Sequence, residues 1–500
     1  VSSSRTAAPA TSGTTSAAPP KIGTLSLVLM IIAASAPLTV VAGGTTSNFA
    51  VTSVLGIPLS FVVLGVILAL FAVGFSALSS KVQTAGAFYS YVARGLGRVP
   101  GVAAAWVAIV AYNAMQIGIY GMFGFATADL FASVFSITVP WWACALGGWV
   151  IVGVLGVNAV DLSAKVLGIL VALEFLVVFV YDFIAIGTAP EGISAAGFAP
   201  GELFTGGVGA VLAFSVAAFM GFESGAIYTD EVRDPRNTVR RATFGAVIVI
   251  AVFYAFSAWA MVMGEGASKV VENSATNGPG VVFAMLGSAL PVWAVQLGQV
   301  LFVTSLLAAL VSFHNVVSRY LRSLAREGAL PSFLATSRGV GRAPVAGSLT
   351  QSALAMVVLL IFAVAGAGAE DPIMFPVLTL FTWLTNVGAL GLVALMALTS
   401  FAALVFLRRN PDGHGVFTRV VAPLIAGVAL GILVVTIIIQ FPVLVGLEPG
   451  NVLNWLLPLI ALLPGVIGAL WAMWLRGTSP ERFARIGHGS AAEDAEGVGL

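Results

Sequence analysis

The sequence predicts an all-α integral membrane protein with twelve transmembrane helices, two of them broken near mid-membrane. Three observations predict it. Of 500 residues, 59% are hydrophobic and only 9% charged, far below the roughly 25% charged in soluble proteins. Twelve apolar stretches follow one another, each long enough to cross a hydrocarbon core about 30 Å thick. All 22 basic residues except Lys269 gather at one set of segment ends.

The stretches fall at about 24–50, 56–79, 101–132, 141–158, 162–188, 207–230, 242–264, 291–325, 347–366, 375–406, 418–440 and 452–475. The fourth is the shortest, and the longest must tilt, break or project beyond the core. With the N-terminus inside, Lys and Arg should collect at the N-terminus, at every second loop and at the C-terminus. Lys21, Lys81, Arg94, Arg98, Arg233, Arg319, Arg408, Arg419 and Arg476 do so, whereas the other loops carry Glu191, Glu202, Glu265, Glu272, Glu370, Asp371 and Glu448. One span more or fewer would destroy this alternation. The expectation is a multi-pass protein of the cell membrane with both termini cytoplasmic. Residues 1–22, rich in Ser, Thr, Ala and Pro, read as a disordered cytoplasmic tail and not a cleaved signal peptide. Residues 23–475 form the membrane domain, and 476–500 a second cytoplasmic tail. Cys144, the sole cysteine, leaves no disulfide framework or cysteine metal cluster. A net charge of +1 gives no reason to expect a nucleic-acid partner. The lipid bilayer is the surrounding medium, and no obligate protein partner is implied.

Two stretches are interrupted at their middles. The first reads Ala33-Ala34-Ser35-Ala36-Pro37-Leu38-Thr39, and the sixth Ala217-Ala218-Phe219-Met220-Gly221-Phe222-Glu223. Pro37 lacks an N–H and crowds the preceding turn, and Gly221 loosens a helix. Freed backbone groups survive within a membrane only when buried in protein or facing a watery cavity. Five spans separate the breaks, an odd shift, so the second unit enters the membrane from the opposite side. That is the geometry of inverted-topology repeats, whose broken helices hold a transporter's substrate.

Three motifs then resemble a known family. They are Ala85-Gly86-Ala87-Phe88-Tyr89-Ser90-Tyr91 with Gly95-Leu96-Gly97; Gly221-Phe222-Glu223 followed by Asp230-Glu231-Val232-Arg233-Asp234-Pro235-Arg236; and Asn315-Val316-Val317-Ser318-Arg319 followed by Ala325-Arg326-Glu327-Gly328-Ala329-Leu330-Pro331. In order and on the expected cytoplasmic side, they resemble the amino acid–polyamine–organocation (APC) superfamily permeases over about 22–475. The resemblance implies a five-plus-five inverted repeat (LeuT-like) with broken helices 1 and 6. Repeat one would cover about 24–188, repeat two about 207–406, and two appended helices about 418–475. It also implies secondary active transport of amino acids or related amines. Many members carry Gly-Ser/Thr-Gly at the first break, where this chain has Ala34-Ser35-Ala36-Pro37.

The breaks suggest their own chemistry. The start of a half-helix carries partial positive charge and suits a carboxylate. Unpaired N–H groups from Leu38 to Val40, with the Ser35 and Thr39 hydroxyls and the backbone at Ala36 and Pro37, would meet a substrate carboxylate. Carbonyls of Ala217, Ala218 and Met220, beside Phe219 and Gly221, would meet its ammonium. Phe219 resembles the aromatic that caps the substrate in related permeases. A packing kink at Pro37 is the plainer alternative. In the third span, Asn113, Gln116 and Tyr120 share one face, next to Tyr112, and Trp383 and Asn386 lie in the tenth. Interhelical hydrogen bonding would account for these equally.

Three ionisable residues lie deep in spans, where unpaired charge is expensive and functional by default. Glu174 stands thirteen residues beyond Asp161, roughly 20 Å along a helix at ~1.5 Å per residue. It aligns where some proton-coupled relatives carry a lysine. It could carry a proton, help hold a cation, or pair structurally. His314 is a second proton-coupling candidate, with the structural alternative. Glu223 follows the second break, where a carboxylate caps the inner half-helix or gates it. The charged run 230–236 reads mostly as a topology signal, but Glu231 or Asp230 pairing with Arg94 or Arg319 could also close the inner gate, though such pairs are weak alone. Thr304, Ser305 and Ser312 could line a cation site. No cofactor or resident metal is expected; a proton gradient would drive transport, with sodium a possibility.

The reading is therefore an amino acid permease, for a neutral substrate and proton-coupled, with alternating access around the two breaks. The alternative is an amino acid or amine exchanger, or a cationic amine carrier, without proton coupling. A membrane enzyme would need clustered acids, histidines or metal ligands, but His314, His414 and His488 are far apart. A carrier of two six-helix halves would need a long loop after the sixth span, which is short here.

Overall fold

The computed structural model describes residues 23–82, 87–158, 164–223, 232, 235–337, 344–411 and 413–487. All regular structure among them is helical, apart from an isolated bridge at Val232. Span 1 is Thr24–Ser35 continued, after a break, by a π-helical turn Thr39–Thr45 and the helix Thr46–Thr52. Spans 2 to 5 are Ile57–Ser79, Arg98–Phe135, Trp141–Val157 and Ala164–Thr188. Span 6 begins as Val208–Ala217 and then leaves the helix. Spans 7, 8 and 9 are Pro235–Glu265, Val292–Arg326 and Val345–Gly366. Span 10 joins a π-turn Pro376–Phe381 to Thr382–Arg409, and span 11 joins Phe417–Val421 to Ala422–Ile439. Span 12 is Leu453–Thr478.

Odd-numbered spans run from the face where the basic loops gather, called here the basic face, to the opposite, acidic face. Between spans 7 and 8, where the sequence marks no crossing, the acidic face carries two short helices, Val270–Asn277 and Gly280–Ala289. The helix Ala87–Leu96 lies on the basic face between spans 2 and 3.

Packing joins each of the first four spans to the one five places on. Span 2 packs along span 7, span 3 along span 8 and span 4 along span 9, while spans 1 and 6 meet at their breaks. Small residues allow the closest approaches, because little drives helices together in lipid except close contact. A Cβ placed on Gly65 would lie 2.5 Å from Ala251 Cβ, across the span 2–7 contact. Spans 5, 9, 11 and 12 form the rim. They expose Leu176, Ile361, Ile432 and Val466, an apolar surface that only lipid covers well.

Candidate substrate site at the two breaks

Sequence alone explains where span 1 breaks. Proline disfavours the right-handed helical region for the residue before it, and Ala36 is driven to a left-handed φ of 49°. The Ala36 N–H turns back to Ala33 O at 3.1 Å, Pro37 has none to offer, and Val40 N–H rejoins a helix at Ala36 O, 3.0 Å away. In span 6 the helix stops at Ala217. Tight turns follow, Phe219 N–H to Val216 O at 3.0 Å and Met220 N–H to Ala217 O at 3.1 Å. Gly221 takes φ 103°, a region that side chains strain to enter. The two breaks touch there: a Cβ on Gly221 would stand 2.8 Å from Ala34 Cβ.

Between them lies a cavity of about 60 Å³. Of the residues expected to bind substrate, Ser35, Ala36, Thr39, Ala217, Ala218 and Met220 line it. The rest of its wall is Ala34, Val40, Gly44, Asn48, Phe61, Met115, Ile119, Phe214, Ala309, Phe313, Phe381 and Thr385. Among the described residues, no ionisable side chain belongs to this wall.

Behind span 1, on the side away from the cavity, sits Glu174. Its Oε2 accepts the Leu38 N–H at 3.1 Å and the Ser305 hydroxyl at 2.9 Å. Ser305 Oγ is also 3.1 Å from Thr39 Oγ1. The carboxylate of span 5 is thus tied to the broken backbone of span 1 and to span 8, and through Thr39 to the cavity wall. This corrects the expectation of free donors: the Leu38 N–H is held by Glu174 and the Val40 N–H by Ala36.

Residues 22–463 match the amino acid permease family model. The chain belongs to the amino acid permease family. No curated protein sequence matches the permease significantly. Among solved structures it is similar to a mutant of the manganese transporter from Eremococcus coleocola. That pair shares 15% identity over 89% of this chain and 94% of the other, with a TM-score of 0.54. At that identity the likeness concerns the fold. The permease is a multi-pass membrane transporter of the APC type, not an enzyme.

Other expected residues of the permease lie off the cavity wall. Pro37 and Leu38 do not line it, and the Leu38 N–H is directed to Glu174 of span 5. Phe219 is fully buried and packs its ring 6.3 Å from Phe61, so Phe61 and Phe214 supply the aromatic wall instead. In span 3 the cavity takes Met115 and Ile119; Gln116 and Tyr120, each one residue later, are turned about 100° away by helical geometry. Trp383 points outward, its Nε1 donating to Val445 O at 2.9 Å. Thr385 and Phe381 hold the span 10 part of the wall.

His314 and Gln116 share a separate buried network. His314 Nε2 is 2.7 Å from Ser348 Oγ, and its Nδ1 is 3.3 Å from Gln116 Nε2. Gln351 Nε2 donates to Gln116 Oε1. The network ties spans 3, 8 and 9 together beside the cavity. Glu223 folds back on the break: it accepts the Gly221 N–H at 2.9 Å and the Tyr112 hydroxyl at 2.7 Å.

On the basic face, Arg94 donates its Nε to Gly487 O at 3.2 Å, and Arg319 is exposed at the end of span 8. Glu231 lies outside the described residues. Glu327, which the sequence did not single out, accepts Tyr89 Oη at 2.6 Å and the Gly487 N–H at 2.9 Å. Among the described residues, no three His, Cys, Asp or Glu side chains converge as for a metal.

A buried acid went unnoticed in the sequence. Asp182 is completely buried in span 5, and its Oδ2 accepts the Ser257 hydroxyl of span 7 at 2.9 Å. Its spacing from Glu174, with Tyr181 beside it, was the signal available: Glu174, Tyr181 and Asp182 fall on one helical face at i, i+7 and i+8.

Proposed function

We propose that the permease moves a small neutral amino acid, driven by protons, across the cell membrane with its basic face in the cytoplasm. The positive-inside rule supports that orientation. A cavity walled by alanines, phenylalanines and other uncharged residues suits an apolar side chain and offers a cationic amine no counter-charge. The positive end of the outer half of span 1, with the Thr39 hydroxyl, suits the substrate carboxylate, and the carbonyl end of Val208–Ala217 suits its ammonium. The neighbour's manganese would want several hard oxygen ligands, and the cavity wall holds no carboxylate.

The observation that carries the proton reading is the Leu38 N–H to Glu174 bond. A hydrogen bond to a charged group is worth about 1.5–3 kcal/mol, against about 0.5–1.5 for a neutral one. Protonating Glu174 weakens its links to Leu38 and Ser305 together by roughly 2 kcal/mol, enough to move a two-state equilibrium roughly thirty-fold. Span 1 is thereby loosened from spans 5 and 8, and access to the cavity alternates.

The test is uptake into proteoliposomes. Labelled alanine, valine, leucine, phenylalanine, lysine and putrescine are offered with and without a pH gradient. Gradient-driven accumulation of one apolar amino acid, lost in Glu174→Gln, is expected. Accumulation of putrescine alone, or exchange indifferent to the gradient, would overturn the reading.

A further inference from the structure

We propose that Asp182 is a second proton-carrying group, a station between the acidic face and Glu174. The inference rests on the reading of Glu174 as the coupling carboxyl.

Asp182 is fully buried, yet its carboxyl receives only one hydrogen bond among the described residues, from Ser257. Its Oδ1 and the adjoining Tyr181 hydroxyl, equally buried, have no hydrogen-bond partner there. A structural carboxylate in an apolar interior is normally paired or fully hydrogen-bonded. This one has no cation in its hydrogen-bond shell and half its acceptors idle. Such a group changes charge by taking up and releasing a proton, and buried acids facing a bundle interior mark proton routes.

Its surroundings give the route two ends. Towards the acidic face, Tyr181 lies within electrostatic range of Glu265, the last residue of span 7. Glu265 is half-exposed and is held by Asn273 Nδ2 at 2.5 Å. Towards the cavity, Glu174 stands eight residues back along span 5, about 12 Å at ~1.5 Å per residue. That is too far for direct transfer. The interval is flanked by two hydroxyls of span 7, one turn apart: Ser257, bonded to Asp182, and Tyr254. The Tyr254 hydroxyl is 3.0 Å from Ser35 Oγ at the first break and within electrostatic range of Glu174.

Among the described residues, the elements packed most closely on span 5 bring few other ionisable groups to this level. The elements packed on span 5 are the Thr24–Ser35 half of span 1, span 7, the helix Gly280–Ala289 and span 8. The first and third contain no titratable side chain, and span 8 has none before His314. Among the described residues, span 7 contributes Tyr254 and Glu265 at this level, and span 5 itself Tyr181 and Glu174. The proton enters through Glu265, is held on the Asp182 carboxyl, passes by way of the Ser257 and Tyr254 hydroxyls, and resides on Glu174 while span 1 is released. No bond other than O–H forms or breaks.

Asp182→Asn, Ser257→Ala and Glu174→Gln proteoliposomes are compared by two rates. One is accumulation driven by a pH gradient, and the other is counterflow at equal pH. The probe is whichever of labelled alanine, valine, leucine or phenylalanine the wild type accumulates most. The ratio of driven uptake to counterflow is expected to fall at least tenfold in Asp182→Asn and several-fold in Ser257→Ala, with Asp182→Glu restoring part of it. A wild-type ratio in Asp182→Asn, alongside a collapsed one in Glu174→Gln, would overturn the relay and leave Glu174 standing. Wild-type ratios in both would overturn the coupling reading itself. Should Asp182→Asn fail to fold, Ser257→Ala decides: it keeps the carboxyl and removes its hydroxyl donor, and an unchanged ratio there overturns the proposal.

Discussion

The Glu174 carboxylate of span 5 accepts the backbone N–H of Leu38 at 3.1 Å, one residue past the proline that breaks span 1. A donor that a broken helix would otherwise leave idle is satisfied by an acid from another span. Glu174→Gln keeps an acceptor of similar shape but fixes it as neutral. Gradient-driven accumulation should fall at least tenfold, while substrate affinity, measured by equilibrium binding, stays within about threefold.

Gly221→Ala should be among the most damaging single changes. It forces a side chain into φ 103° and against Ala34, 2.8 Å away. The conformational strain alone is worth about 1–3 kcal/mol. A lower thermal midpoint in detergent, together with uptake reduced more than tenfold, is the expected result.

Tyr112 and Glu223 should prove coupled. Their 2.7 Å hydrogen bond crosses from span 3 to the second break and is completely buried. A double-mutant cycle with Tyr112→Phe and Glu223→Gln, read by chemical or thermal unfolding, should return about 1.5–3 kcal/mol.

Trp383→Phe should separate stability from transport. The indole anchors span 10 to the short helix Phe441–Val445 and stays off the cavity wall. About 1 kcal/mol of stability is lost with the hydrogen bond, and the KM for the transported amino acid stays within twofold. Ala218→Val, which narrows the cavity, should instead raise KM at least tenfold for leucine and less for alanine.

On the acidic face, the Ser268 hydroxyl and N–H donate to Glu191 and hold its carboxyl below the usual carboxylate range. A lowered folded pKa gives stability that is complete above the unfolded value and lost as pH falls through the folded one. Hydrogen exchange at residues 266–270, corrected for intrinsic rate, should quicken a few-fold as pH drops through that window. Ser268→Ala should remove the pH dependence.

The bilayer made much of this fold legible. Backbone groups must be paired inside lipid and basic residues stay on one side, so apolar runs and charge placement mark the spans, and Pro37 and Gly221 mark the breaks. The span 6 helix itself stops at Ala217, short of the apolar run that predicted it. Side chains of the site were harder to read. Polar residues attracted attention in span 3, yet the cavity is lined by Met115 and Ile119, because a wall for an apolar substrate looks in sequence like any buried face. Gln116 and Tyr120 turned towards His314 instead, through a register that sequence leaves open by one residue. The Glu174–Leu38 bond joins residues 136 apart in the chain, and nothing local announces it. Asp182 was not among the acids read as lying deep in a span; its packing against Ser257 puts it inside.

Gly221 rests directly on Ala34, with no side chain long enough to act as a cushion between the two chains. Pulling the broken helices apart there would open a gap that a glycine and an alanine cannot refill. On the proposed mechanism the contact would act as a pin joint. The half-helix Thr24–Ser35, about 18 Å long at ~1.5 Å per residue, would be its lever, and a tilt of about 10° at the pin would carry its far end by roughly 3 Å.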